Sequence, residues 1–129
     1  MLEQARAEVE RQGGTVQQWI CADALQITQH LPEQMDYVFM GNTFHGVPDQ
    51  RRLSVVIHDI LKPQGIFAIV NWHAINRKNT VVLGKPRGPK TDLRMGPEAV
   101  SAVVEPAGFE TVKVIELPPY HYGILLRRE

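Results

Sequence analysis

Apolar residues recur along the chain in short blocks whose spacing alternates between a helical and an extended period. The strongest block follows Asp49, where Leu53, Val56, Ile57, Ile60 and Leu61 fall at i, i+3, i+4, i+7 and i+8. This spacing predicts an amphipathic helix capped by Asp49. Lys62-Pro63-Gln64-Gly65 ends it, and Ile66 to Trp72 is then almost continuously apolar, as expected of a strand covered on both faces. Upstream, Tyr37-Val38-Phe39 centres a strand over Met35 to Met40 that leaves through Gly41-Asn42, and Val16, Trp19 and Ile20 mark another over Thr15 to Cys21. Leu2, Ala5 and Val9 share one face of a first helix that Gly13-Gly14 stops, and a short polar helix runs from Ala24 to near Leu31-Pro32. Pro97 opens a last helix with Val100, Val103, Val104 and Ala107 on one side and Gly108 at its end. Two strands, Glu110 to Leu117 and His121 to Arg127, then close the chain as an antiparallel pair across Pro118-Pro119. Only Asn76 to Arg94, rich in Gly, Pro and basic residues, lacks a period and reads as a long solvated connection.

Helices alternating with strands and ending in a hairpin define an α/β fold, with a mostly parallel sheet between helical layers. The length of 129 residues suits one domain with a single core. Fourteen basic and fourteen acidic side chains leave no net charge, so no overall field favours nucleic acid or an anionic surface. No apolar run approaches the roughly 18 residues that span a bilayer, and Met1 to Gln12 lacks the hydrophobic stretch of a secretory signal, so a cytoplasmic location is expected. Cys21 is the only cysteine, which excludes an intrachain disulfide and a single-chain thiolate metal cluster. His45, His58 and His73 are too widely separated to suggest a metal site.

Five segments in this order carry a resemblance. Asp23-Ala24 follows the Trp19-Ile20-Cys21 strand. Asp36-Tyr37-Val38 leads into Gly41-Asn42-Thr43-Phe44-His45. Leu61-Lys62-Pro63-Gln64-Gly65 precedes Ile66-Phe67-Ala68-Ile69-Val70, and Ala107-Gly108-Phe109 follows the last helix. The chain resembles the class I S-adenosylmethionine-dependent methyltransferases, with a Rossmann-like, layered α-β-α fold. In that family these segments are the adenine-contacting acidic residue, the fourth strand and its exit, the "LKPGG" turn with the fifth strand, and the "AGF" exit of the last helix. Gln64 stands where the family usually has glycine. The resemblance implies S-adenosylmethionine as cofactor, held by Asp23, Ala24, Asn42, Thr43 and Phe44, and methyl transfer to a small-molecule acceptor.

Family members open with a strand, a glycine-rich loop and a second strand ending in an acidic residue. None of these is in this sequence, whose first helix matches the helix after the family's second strand, so the chain reads as the C-terminal two-thirds of the family fold. In the family's sheet order, 3-2-1-4-5-7-6, that lack leaves a gap of about 14 Å between the Thr15 to Cys21 strand and the rest. Backbone groups at a buried strand edge need partners. A homodimer, a rearranged sheet or a longer N-terminal segment would supply them. A noncatalytic dimerisation or interaction module derived from such an enzyme is the alternative function.

Each candidate residue has two readings. Asp23 accepts the adenine amino group or caps the helix beginning at Ala24. Asn42, Thr43 and Phe44 lie at a strand's carboxyl end, where open α/β sheets bind ligands, or they are ordinary turn residues. His45 is a base or acceptor contact, as imidazoles titrate near neutrality, or a packing histidine. Trp72 and His73 line an acceptor pocket or belong to the rim of the core. Gly84-Lys85 lacks the following Ser or Thr and the upstream glycine of a phosphate loop. The basic run from Arg77 to Arg94 attracts an anionic acceptor or is simply solvated.

Overall fold

The computed structural model describes residues 2–12, 23–29, 31 and 33–129. The expected strand over Thr15 to Cys21 and the Gly13-Gly14 helix stop lie outside them. Helix α1 spans Leu2–Arg11, and a 3-10 turn follows at Ala24–Gln29. Strand β1 is Met35–Gly41, helix α2 Gln50–Ile60, strand β2 Leu61–Trp72, helix α3 Pro97–Val104, strand β5 Phe109–Leu117 and strand β6 His121–Arg128. A small hairpin of β3, Val81–Val82, and β4, Lys85–Pro86, lies between β2 and α3. No helix among the described residues is long and apolar enough to cross a membrane.

The main sheet runs β1-β2-β6-β5, the order 4-5-7-6 of the family numbering. β1 and β2 are parallel, and β6 lies between β2 and β5, antiparallel to both. Among the described strands, β1, β2 and β5 run in one direction and β6 alone runs against them, the mostly parallel sheet with a closing antiparallel hairpin that the sequence predicts. The terminal hairpin inserts its second strand beside β2, so its first strand becomes the sheet edge.

α2 forms as its stripe dictates. Asp49 Oδ1 accepts from the Arg52 N–H at 3.1 Å, and Leu53, Ile57 and Ile60 are buried. These side chains meet Val100 and Val104 of α3, Phe67 and Ile69 of β2, and Tyr122, Ile124 and Leu126 of β6 in one core on one face of the sheet. α3 passes through a 3-10 turn at Glu105–Ala107 and stops at Gly108, whose φ of +107° is strained for any residue with a side chain. A Cβ there would also lie 2.7 Å from His58 Nε2.

One boundary differs from the sequence pattern. Leu61 completes the helical stripe, yet it is the first residue of β2 and pairs with Met35. The next pair is Tyr37 with Ile66, so residues 62–65 bulge out opposite Asp36 within the strand rather than before it. Gln64 adopts φ +68° in this bulge, which accounts physically for the glycine that the family resemblance places there. A left-handed non-glycine residue costs about 1–2 kcal/mol, and glycine's extra chain entropy takes back about 0.5–1. Gln64→Gly should raise stability by about 0.5–1 kcal/mol in a urea titration; a loss of stability would show that the Gln64 side chain matters more than its backbone.

Candidate functional site

Open sheets bind ligands beyond the carboxyl ends of their parallel strands, because the connections there are free to diverge. At the end of β1 the chain turns sharply. Asn42 has φ +57° and donates its N–H to the Val70 carbonyl at 2.7 Å, a tie that holds the turn against β2. Phe44–Gly46 then forms a 3-10 turn, and Pro48-Asp49 leads into α2. Gln50 braces this segment by donating from Nε2 to the Phe44 carbonyl at 3.1 Å.

A cavity of about 530 Å³ opens beside this turn. Asp23, Ala24, Thr43 and His45 line it, together with Leu25, Val47, Pro48, Asp49 and Leu53. The sequence-predicted residues Asp23, Ala24, Thr43 and His45 are thus brought to one place from two distant segments. Asp23 Oδ1 accepts from the Leu25 N–H at 2.9 Å, the bond expected of a cap on the turn beginning at Ala24, while its other oxygen has no partner among the described residues. His45 Nδ1 is buried and has no partner among the described residues. The remaining lining is mostly apolar.

Phe44 and Asn42 do not line this cavity. Phe44 is fully buried in the core, edge-on to Phe67 with ring centroids 6.3 Å apart, and supports the turn from beneath. Asn42 is exposed and acts through its backbone. Sequence reasoning missed Leu25, Val47, Pro48 and Leu53, although Pro48 directly before a helix cap is a signal for a fixed turn.

Trp72 and His73 sit elsewhere, at the end of β2. Trp72 stacks with Tyr120, centroids 6.1 Å apart and 15° between planes, and lies 4.2 Å from His121. His73 Nε2 is 2.7 Å from Glu116 Oε2, and both line a separate cavity of about 500 Å³ with Glu98 and Val114. Glu116 had no sequence signal, as it lies one hairpin away from its partner. Nearby, the Tyr122 hydroxyl donates to the Met95 carbonyl at 2.6 Å, and burial pushes its pKa up to about 12.

The basic connection after Trp72 is folded, not merely solvated. Leu83 and Gly84 both have positive φ and form the two-residue turn of a hairpin, so Gly84 is at its tip and Lys85 opens β4. Arg94 is 7% exposed and lies over the Trp72 ring at 5.1 Å. Its guanidinium donates to the carbonyls of Pro89 (3.1 Å) and Arg87 (2.8 Å) and to Thr80 Oγ1 (3.0 Å). Arg77 and Arg87 likewise donate to the loop carbonyls of Gly88 and Val82. Gly88, at φ +91°, lets the backbone pass where a Cβ would lie 2.8 Å from the Trp72 ring. Burial, then the charge of Arg77, pulls Arg94 below the ordinary arginine range, and burial, Arg94 and His73 together lower His121.

The sheet order, the capped helix and the β1 exit define an α/β domain with a cavity at the carboxyl end of a parallel strand. Residues 1–69 match the family described as "Methyltransferase domain", more than half the chain, and the chain belongs to that family. Its fold is similar to a SAM-dependent methyltransferase from Aquifex aeolicus, with TM-score 0.80 and 19% identity over 99% of this chain and 63% of that one. It is also similar to an S-adenosylmethionine-dependent methyltransferase from Mesorhizobium loti, with TM-score 0.68 and 19% identity over 98% and 78% of the two chains. A (4+2)-cyclase, SpnF, shares the fold at TM-score 0.71 and 15% identity, over 98% and 62%. The chain spans somewhat less than two-thirds of the length of the Aquifex protein. No curated protein matches it.

Proposed function

We propose that this chain supplies the adenine side of an S-adenosylmethionine site in a methyltransferase acting on a small molecule. The observation that carries this reading is the convergence of Asp23, Thr43 and His45 on one largely apolar cavity at the exit of β1. A planar, polar-edged ring suits that lining. Leu25, Val47, Pro48 and Leu53 offer apolar contact, and the Asp23 oxygen that has no partner among the described residues can accept from an exocyclic amino group. The buried Nδ1 of His45 has no partner among the described residues and is the kind of orphan that a bound ligand satisfies. The residues present therefore fit the cofactor. When bound, S-adenosylmethionine supplies an electrophilic methyl group on a sulfonium.

What the chain itself contributes is mostly position. Rigid placement by β1, the Asn42 tie to Val70 and the Gln50 brace fix the turn, and a fixed site lowers the entropy cost of alignment. His45, on the turn that follows β1, is a candidate to take a proton from an acceptor hydroxyl or amine only where the acceptor reaches this turn beside the adenine. Trp72 and His73 stand apart from this cavity and would serve only the wall nearer the acceptor.

Isothermal titration with S-adenosylmethionine and its demethylated product tests the reading. Binding at micromolar strength is expected, and absence of heat with either ligand would overturn it. Asp23→Ala should weaken binding about tenfold or more, the usual effect of deleting a charged hydrogen-bond partner. Unchanged affinity would show that the adenine lies elsewhere.

A further inference from the structure

Gln50 opens α2, and its side-chain amide reaches more than one segment. Nε2 donates to the Phe44 carbonyl at 3.1 Å and lies 3.5 Å from the His45 carbonyl, both on the turn that follows β1. The same nitrogen is 3.2 Å from Met95 Sδ, 45 positions further along the chain. Its two hydrogens are thus shared among two carbonyls and a thioether sulfur, a weak acceptor. A side chain this long keeps one rotamer only when its far end is engaged, because ordering it costs entropy.

Met95 is itself fixed. Its carbonyl accepts from the Tyr122 hydroxyl at 2.6 Å, and Tyr122 is fully buried on β6, an interior strand of the sheet. Burial pushes that hydroxyl's pKa up to about 12, so it stays protonated and donates throughout the ordinary pH range. Along the chain Met95 stands between two other anchors. Arg94 ties down the preceding loop through the Pro89 and Arg87 carbonyls, and the Gly96 carbonyl accepts the Ala99 and Val100 N–H groups that begin α3. A continuous series of contacts therefore runs from the sheet interior, through the entry of α3 and the first turn of α2, to the exit of β1.

We propose that Tyr122 and Met95 are positioning residues for the candidate cofactor cavity, holding the Gln50 amide so that it fixes the turn carrying Thr43 and His45. Neither of them lines that cavity. Asn42 ties the entry of the turn to β2, and the buried Phe44 ring anchors its middle. The 3-10 bonds, Gly46 N–H to Thr43 and Val47 N–H to Phe44, shape the turn without tying its carbonyls to any distant element. Gln50 supplies that tie, and Met95 and Tyr122 supply its far anchor. Ligand alignment depends on such placement, since a small displacement of a fixed group lowers affinity. The inference rests on the cofactor reading for its function, while the contacts themselves can be tested without any ligand.

Tyr122→Phe deletes the hydroxyl and keeps the ring, and Met95→Leu deletes the sulfur at similar volume. In NMR spectra of the ligand-free protein both should move the Gln50 side-chain amide and His45 imidazole resonances, with an unchanged far-UV spectrum. By isothermal titration Tyr122→Phe should weaken S-adenosylmethionine binding about three- to tenfold, the loss from one hydrogen bond. Gln50→Leu should weaken it by at least as much, and adding Tyr122→Phe to Gln50→Leu should cost nothing further, because the hydroxyl acts through the amide. Additive losses would overturn the proposal, since Tyr122 would then only support the core. Unmoved Gln50 and His45 resonances in both variants would overturn it as well. If Tyr122→Phe fails to fold, Met95→Leu carries both arms, with its own cycle against Gln50→Leu. A parent that gives no heat with S-adenosylmethionine would sink the cofactor reading instead, and the spectra alone would then decide whether Met95 and Tyr122 hold the turn.

Discussion

Arg94→Ala should unfold at a markedly lower urea concentration than the parent protein, with a loss of about 2–4 kcal/mol. The guanidinium is buried and donates to Pro89, Arg87 and Thr80 while covering Trp72. Hydrogen bonds to charged donors contribute about 1.5–3 kcal/mol each and are not additive when they share one group. Truncation leaves the Pro89 carbonyl without its donor, removes one of the two donors of the Arg87 carbonyl and the donor of Thr80 Oγ1, and strips one side of the indole. Arg94→Lys keeps the charge but loses the planar fork, so it should recover only part of the loss. The near-UV circular dichroism of Trp72 should weaken in both variants. A cost below about 0.5 kcal/mol, the usual range of surface substitutions, would show that the loop is held by its hairpin alone.

Phe67→Ala is expected to cost about 3–5 kcal/mol, the range for deleting a buried aromatic ring. Phe67 is fully buried, and its ring contacts Phe44 edge-on and Phe109 at 5.9 Å. It therefore joins the turn beneath the candidate cavity to the first residue of β5. Total stability of about 5–15 kcal/mol is usual for a domain, so the variant should be marginal at room temperature. Phe67→Leu, closer in volume, should lose much less, and urea midpoints of the two variants would measure the difference. Equal losses would mean that ring shape, not cavity size, governs the site.

The parts of the fold legible in the sequence are those with a local cause. The stripe from Leu53 to Ile60 and the Asp49 cap are fixed by neighbours within a turn, and Gly108 ends α3 because its backbone is left-handed. Leu61 was harder. Its apolar side chain satisfies both the helical stripe and the first pair of β2, and only pairing with Met35, far along the chain, decides between them. The candidate site divides in the same way. Asp23, Thr43 and His45 stand out as candidates because they precede a 3-10 turn or follow a strand, and the structure brings them to one cavity, whereas Phe44, between two of them, turns inward to meet Phe67. The basic run offered no such clue. A buried arginine that donates to loop carbonyls and a solvated one look the same in a charge count, and His73 finds Glu116 only once β5 and β6 have folded back.

The position of β6 has a kinetic consequence. β1, α2 and β2 close over short separations, and so do β5 and β6 across their turn, while the β2–β6 ladder joins residues as distant as Ile66 and Arg127. Loop closure makes distant pairings slow to form, so these two local units should assemble first and dock along that seam. Once formed, that seam joins Phe67 and Ile69 to Ile124 and Leu126 at the centre of the core, so amides shared between β2 and β6 should exchange only with global unfolding, after those of the exposed β3–β4 hairpin.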